Sequence, residues 1–233
     1  MNINRAISFI FDDQEWLKKI AIGALISLIP IVGGFVLMGW ALEITRRIIK
    51  NEPETLPEFT DFGELLSKGF KVFVVQLAYF FPIILLFICG YLVSFAGMAG
   101  LGQNTDISSE LLGSSAALVM VCVTCITIPL LFLSGIASQV ARGRLADTGM
   151  LSQALNLREV VRITKAGLGK YLLAFLMVFL AAMILSPIGG LLCGIGALFT
   201  TALISAFDSH LVGQAYKFAN PMGEDRPGTV EII

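Results

Sequence analysis

The chain has 233 residues, of which 56% are hydrophobic and only 14% are charged, and its mean hydropathy is +0.85. Soluble domains usually carry about 25% charged and about 45–50% apolar residues, so this composition argues against an ordinary soluble enzyme. The formal net charge is −1, which provides no basic balance for nucleic acid, and we expect no nucleic-acid partner.

Four long runs contain no charged residue: residues 20–42, 72–105, 111–141 and 171–207. A helix needs about 20 apolar residues to cross the hydrocarbon core of a bilayer, which is about 30 Å thick. The last run is interrupted at residues 186–190 by Ser-Pro-Ile-Gly-Gly, which predicts two helices there. The runs predict an all-α integral membrane protein, and its surroundings are then the lipid bilayer.

The distribution of Lys and Arg predicts which side of the membrane each connection faces. All 16 of these residues lie before the first run, between the first and second, between the third and fourth, or after the fourth. The connection at residues 103–110 carries only Asp106 and Glu110. Because short cytoplasmic loops concentrate Lys and Arg, we expect a multi-pass protein of the inner or plasma membrane. Both termini are then cytoplasmic, and residues 103–110 form the main outer loop.

This topology requires the first run to enter and leave the membrane on the same side. Its centre contains Pro30, Gly33 and Gly34, which permit a reversal. Roughly 11 residues separate Lys19 from Pro30, or ~16 Å of helix. We predict a helical hairpin that is re-entrant or barely spans the bilayer. The alternative is one tilted, proline-kinked span with an external N-terminus.

A short pattern recurs three times along the chain. Each copy begins with an acid, two apolar residues and then a base, at Glu15, Glu64 and Glu159. Each copy ends with an acid or amide three residues before a base, a helical spacing at which the two side chains can bond each other. These pairs are Glu43 and Arg46, Gln139 and Arg142, and Gln214 and Lys217.

The repeat predicts a bundle of about six helices arranged as three hairpins, the first of them possibly re-entrant, with amphipathic interfacial helices. The hairpins span about residues 15–47, 64–142 and 159–217. They form a single helical membrane domain of residues 1–220. Residues 221–233, rich in Gly, Pro and charge, are predicted to be a disordered cytoplasmic tail. We also expect no cleaved signal peptide, because acidic residues intervene before the first run.

Few residues suggest a chemical site. The one histidine, His210, lies two positions after Asp208, so the two do not share a helical face, and we interpret both as structural groups at the membrane interface. Cys122 and Cys125 have the spacing of a redox or metal motif, but their apolar surroundings favour packing. We assign no catalytic, cofactor-binding or metal-ligating residue, and we expect neither a cofactor nor enzymatic activity.

Two features leave alternatives open. Residues 52–58, Glu-Pro-Glu-Thr-Leu-Pro-Glu, are interpreted as a solvated spacer in preference to a docking site. Pro82, Pro129 and Pro187 interrupt three apolar runs, either as broken helices that line a cavity or as ordinary kinks.

Several segments together resemble a known family. They are Phe-Asp-Asp-Gln-Glu-Trp-Leu-Lys-Lys at residues 11–19, Ile29-Pro30, residues 39–47, Leu-Pro-Glu-Phe at residues 56–59, Asp61-Phe62 and residues 211–216. The chain is similar in these segments to the prokaryotic membrane proteins grouped as domain of unknown function 4013. The resemblance implies a polytopic membrane protein of bacteria or archaea with no assigned activity, and it transfers no site residues.

Two functions are consistent with these observations. The first is an accessory or scaffold protein, non-enzymatic, that binds protein partners, lipids or further copies of itself in the membrane. The alternative is a transporter or flippase for a small molecule or a lipid, favoured by the repeats and the prolines. A cavity reaching mid-bilayer would favour transport, and a packed bundle with an exposed contact face would favour the accessory role.

Overall fold

The computed structural model describes residues 1–100, 109–191 and 195–221. Within them every regular element is an α-helix: α1 Ile3–Asp12, α2 Trp16–Ile26, α3 Val32–Lys50, α4 Phe62–Gly100, α5 Ser109–Thr148, α6 Leu151–Ala154, α7 Leu157–Leu191 and α8 Ile195–Ala219. Most of the predicted outer loop (residues 101–108) and of the predicted tail (residues 222–233) lies outside the described residues.

Three described helices are long and apolar enough to cross a membrane. The candidate spans are Phe62–Leu92, Met120–Thr148 and Leu157–Leu191. The all-helical membrane class predicted from the uncharged runs therefore agrees with the structure. The first run differs in kind, because α2 has only 11 residues, which extend ~16 Å along the helix axis.

The chain reverses direction between α2 and α3. Lys19 Nζ donates to the carbonyl oxygen of Leu56 at 2.8 Å, and Trp40 Nε1 donates to the neighbouring carbonyl of Pro57, also at 2.8 Å. A single helix would place residues 19 and 40 ~31 Å apart, at 1.5 Å per residue. The two bonds thus bring the start of α2 and the middle of α3 to neighbouring carbonyl groups. The turn contains Ile31, whose φ of 66° is left-handed.

The last uncharged run contains two helices, as predicted, and residues 186–190 all lie within the first of them. Helix α7 continues through Pro187 to Leu191, and α8 begins at Ile195. The expected break at residues 186–190 is wrong, because Gly189 permits close packing of α7 against α8 there. A Cβ on Gly189 would lie 2.7 Å from Thr200 Oγ1 of α8. Pro82 and Pro129 also lie inside continuous helices.

The chain forms two compact units, Met1–Gln76 with Ile136–Ile233, and Leu77–Gly135. In the first unit, α8 packs against α1, α2, α3 and α7. Its buried core includes Phe9, Trp40 and Leu211. The second unit contains the adjoining parts of α4 and α5, which approach closely where a Cβ on Gly90 would lie 3.1 Å from the Val123 side chain.

Helices α3 and α4 cross at a pair of glycines. A Cβ on Gly39 would overlap the carbonyl oxygen of Leu65, and a Cβ on Gly69 would overlap the carbonyl oxygen of Phe35. The two backbones therefore touch at this crossing, a packing that small residues permit between membrane helices. The crossing brings the charged C-terminal end of α3 beside the first turns of α4.

Candidate functional site

The segment between α3 and α4, residues 51–61, packs against the first unit, and we call it the strap. Leu56 and Phe59 are buried in the core cluster, and the strap carbonyls of Leu56 and Pro57 accept the bonds from Lys19 and Trp40. The Trp40 and Phe59 rings stack at 5.3 Å. The interpretation of residues 52–58 as a solvated spacer is therefore wrong, because Leu56 and Pro57 are buried within it and Phe59 is buried directly after it.

A buried ion pair fixes the strap to α2. Lys19 Nζ lies 2.7 Å from Asp13 Oδ2, and the same oxygen accepts a bond from the Leu56 amide at 3.1 Å. Burial alone would raise the pKa of Asp13, but the bonds from Lys19 and from the Glu15 and Leu56 amides outweigh it and lower the pKa. The carboxylate thus stays charged and holds three separate segments together.

A second group of charges surrounds Glu43 near the end of α3, and we call it the Glu43 cluster: Glu43, Arg46, Arg47, Glu52, Glu64 and Lys68. Arg46 bonds Glu43 at 2.7 Å and Glu52 at 2.7 Å, while Lys68 bonds Glu43 at 2.6 Å and Glu64 at 2.7 Å. Burial would raise the pKa of Glu43, but the bonds from Arg46 and Lys68 lower it to about 2. The cluster joins the end of α3 to the start of α4.

A cavity of about 670 Å3 opens beside the Glu43 cluster. Its wall consists of Lys19, Glu43, Arg46, Arg47, Thr55, Leu56, Pro57, Glu58, Thr60, Asp61, Glu64, Leu65 and Lys68. Side chains of both charge signs therefore face one space, and α2, α3, the strap and α4 all contribute to it. We call it the strap cavity.

His210 lies in the first unit, with only 1% of its side chain exposed. Its ring stacks on Phe9 at 4.4 Å, Gln214 Nε2 lies 3.0 Å from Nδ1, and Glu54 Oε2 lies 3.5 Å from Nε2. These neighbours fit the neutral tautomer with its hydrogen on Nε2. Burial lowers the pKa of His210 despite the opposing effect of Glu54. The partners of the His210 ring are thus Phe9, Gln214 and Glu54.

The three predicted i, i+3 pairs differ in the contacts that their members make. Glu43 bonds Arg46 as expected. Arg142 instead pairs with Asp208 at 2.8 Å, and the buried amide oxygen of Gln139 has no hydrogen-bond partner in the described part of the chain. The third amide, Gln214, exchanges two hydrogen bonds with the backbone of Asn2. Helical spacing makes such pairs possible, but neighbouring segments compete for the same groups.

A second cavity, of about 540 Å3, lies where α5 meets α7. It is lined by Arg144, Asp147, Thr148, Gln153, Glu159, Arg162, Tyr216, Ala219, Asn220 and Pro221. Asp147 accepts bonds from Lys50 at 2.9 Å and from the Tyr216 hydroxyl at 3.2 Å. Sequence reasoning missed both cavities, since their walls combine residues that are far apart along the chain, from Lys19 to Lys68 in the first and from Arg144 to Pro221 in the second.

Cys122 and Cys125 are free thiols that are exposed on the surface of the chain. Both belong to the candidate span Met120–Thr148, so their apolar surroundings come from whatever contacts that span.

The family of the chain follows from a comparison with family models. The model described as "Protein of unknown function (DUF4013)" matches residues 22–194, about three quarters of the chain. Neither a curated protein nor a solved structure matches significantly. The match includes α3, the strap and all of α4 to α7, and with them the strap cavity apart from Lys19. The chain therefore belongs to the DUF4013 family of proteins of unknown function.

Proposed function

We propose that this protein is a non-enzymatic accessory or scaffold protein of the plasma membrane, which binds membrane partners or lipids through its spans. One observation carries the proposal. In the most apolar 18-residue windows of the candidate spans, only 22%, 11% and 11% of the residues are buried inside the chain. Large apolar patches on soluble monomers usually mark contact sites, and in a membrane the uncovered surface meets lipid or another chain.

The proposed topology is three hairpins with both termini in the cytoplasm. Its support is the confinement of all 16 Lys and Arg to the predicted inner segments, together with the apolar tip of the α2–α3 reversal. Leu25, Leu28, Ile29 and Ile31 are exposed at this tip, Ile31 by 78%. Such a tip is costly in water and favourable in the hydrocarbon core. Because α2 extends only ~16 Å, the tip reaches about mid-bilayer.

The topology predicts that position 31 is deep in the bilayer while position 18 faces water. Ile31→Cys and Lys18→Cys, each placed in a chain without the four native cysteines, are labelled with a nitroxide in liposomes. We expect lipid-soluble oxygen to relax the label at 31 and a water-soluble nickel complex to relax the label at 18, because the tip lies in hydrocarbon. A water-exposed label at 31 would contradict the re-entrant hairpin, and an impermeant thiol reagent that reaches 18 from outside intact cells would contradict the topology.

The scaffold role predicts protein or lipid contacts on the exposed face of α7. A photo-crosslinking amino acid is placed at Leu176 or Met183, both exposed, and irradiated in native membranes. We expect one discrete cross-linked protein, or dominant lipid adducts, at both positions. The matched control is Arg162, which is exposed near the start of the same helix and which the topology places in water. The same adducts at Arg162 would show nonspecific capture and contradict the proposal.

A small polar cavity favours the transport alternative. It has a volume of about 130 Å3 and is lined by Thr45, Gln76, Arg142, Ser205 and Ser209 together with apolar side chains. A transport site needs a polar cavity of this kind among its helices. Purified protein in liposomes that accelerates the flipping of a fluorescent phospholipid, compared with protein-free liposomes, would favour transport over the accessory role.

A further inference from the structure

The charged groups that line the strap cavity differ in how closely they are paired with one another. Lys19 is fully engaged by Asp13 and the Leu56 carbonyl. Glu43, Arg46 and Lys68 are likewise held at 2.6–2.7 Å within the Glu43 cluster. These groups form a rigid wall and have little capacity for another ligand.

Three other groups of the wall remain available. The Arg47 guanidinium has only long contacts, 3.3 Å to Thr55 and 3.6 Å to Glu43. Within the described part of the chain, the carboxylates of Glu58 and Asp61 have no ion-pair partner, and both residues are exposed and line the cavity. The cavity thus presents one guanidinium that has only long contacts, and two carboxylates that no ion pair among the described residues engages.

These groups select a ligand that carries a positive and a negative centre. A guanidinium binds phosphate oxygens through two parallel N–H donors, and carboxylates accept hydrogen bonds from an ammonium group. A purely anionic ligand would meet two uncompensated carboxylates and a single Arg. The cavity therefore suits a zwitterion whose ammonium and phosphate are close together.

The type of ammonium follows from the lining. Quaternary ammonium groups have no N–H donor and are recognised by aromatic cages, and none of the residues of the cavity wall is aromatic. A primary ammonium, in contrast, can donate to Glu58 and Asp61. The position fits as well, because the cavity lies at the N-terminal end of the candidate span Phe62–Leu92, where lipid headgroups would lie.

We infer that the strap cavity binds a phosphoethanolamine group, supplied by phosphatidylethanolamine of the cytoplasmic leaflet. Arg47 binds the phosphate, and Glu58 and Asp61 bind the ammonium. This inference deepens the proposed function and rests on its membrane placement. The protein thereby holds one lipid at a fixed point between α3 and α4.

Lipid titration of the full chain in detergent tests the inference. The Trp16→Phe variant leaves Trp40, whose indole bonds the cavity wall at Pro57, as the fluorescent reporter; native mass spectrometry of bound lipid is the second readout. The probes are short-chain phosphatidylethanolamine, phosphatidylcholine and phosphatidylglycerol. We expect phosphatidylethanolamine to bind about tenfold more tightly than the other two, because charge-assisted hydrogen bonds are the strong ones.

The double variant Glu58→Gln with Asp61→Asn should abolish this preference and leave phosphatidylcholine binding unchanged. Glu15→Gln is the matched control, since it removes an exposed acid outside the cavity and should keep the preference. Equal binding of phosphatidylethanolamine and phosphatidylcholine, or a preference that survives in the double variant, would overturn the inference.

A further arm identifies the source of the ligand. Soluble O-phosphoethanolamine that binds as tightly as the lipid would support the ligand chemistry and overturn the lipid source. A separate experiment decides the scaffold proposal. If cross-linking at Leu176 and Met183 finds no specific contact while the lipid preference persists, the cavity assignment stands and the scaffold role falls.

Discussion

Replacing Gly69 by alanine should destabilise the protein by about 3 kcal/mol, near the upper end of typical overpacking costs. The new methyl group would overlap the Phe35 carbonyl oxygen, a backbone atom that cannot rotate away. Helices α3 and α4 would have to separate at their crossing. Gly39→Ala should behave alike, because its methyl group would overlap the Leu65 carbonyl oxygen. The free energy of unfolding is measured by titrating the detergent-solubilised protein with dodecyl sulfate.

Two other glycines of the same helices provide controls at which alanine should raise the free energy of unfolding. A Cβ on Gly34 or Gly63 would find no atom within 4 Å. Alanine at these sites should stabilise the protein by about 0.5–1 kcal/mol, since it lowers the entropy of the unfolded chain and favours helix. Equal effects at Gly69 and Gly34 would refute the close crossing.

Replacing Glu43 by glutamine should cost about 2–3 kcal/mol of unfolding free energy. The change keeps the shape of the side chain, but it removes the one carboxylate that Arg46, Arg47 and Lys68 share. Charged donors that lose a buried partner are expensive, by about 1–3 kcal/mol or more. The same dodecyl sulfate titration measures the loss.

Glu64→Gln is the matched control for this change. Glu64 bonds the same Lys68, but its side chain is 60% exposed, so its removal should cost well under 1 kcal/mol. A similar loss in both variants would argue against a special role for Glu43.

The same carboxylate predicts how stability depends on pH. The folded protein holds the pKa of Glu43 at about 2, below its ordinary value of 4.5. Its contribution is therefore complete above about pH 4.5 and is lost as the pH falls toward 2. The Glu43→Gln variant should lose less stability over this interval than the unmodified protein does. Parallel pH profiles would show that another group is responsible.

The membrane class could be predicted because charge is so costly in hydrocarbon that uncharged runs mark the spans directly. The predicted reversal near Pro30 rests on a related argument, since Lys18 and Lys19 lie too close to the proline in sequence for an ordinary membrane crossing. The similar sequence at Pro187 led to the wrong prediction of a helix break at residues 186–190. A glycine can permit a turn, or it can permit two helices to pack closely. Gly189 allows α8 to approach α7, and the sequence alone does not distinguish close packing from a turn.

The candidate site was harder to predict, because its bonds join distant segments. The spacing of Glu43 and Arg46 indicates a pair within one helix, but nothing in it specifies Lys68 as a further partner. The strap contains one sequence signal that indicates its burial: Leu56, Pro57 and Phe59 are apolar in a segment that is otherwise polar. Three apolar residues among acids indicate anchoring, and weighting them above the charges would have placed the strap against the core.

The bonds between Asn2 and Gln214 have a consequence for the order of assembly. A ribosome delivers α1 before α8, yet α1 docks on α8, with Phe9 stacked on His210 and Asn2 bonded to Gln214. Two hundred residues must be made and inserted before that docking surface exists. Helix α1 therefore leaves the ribosome long before its docking surface exists, and it reaches its native position only after α8 has been made and inserted.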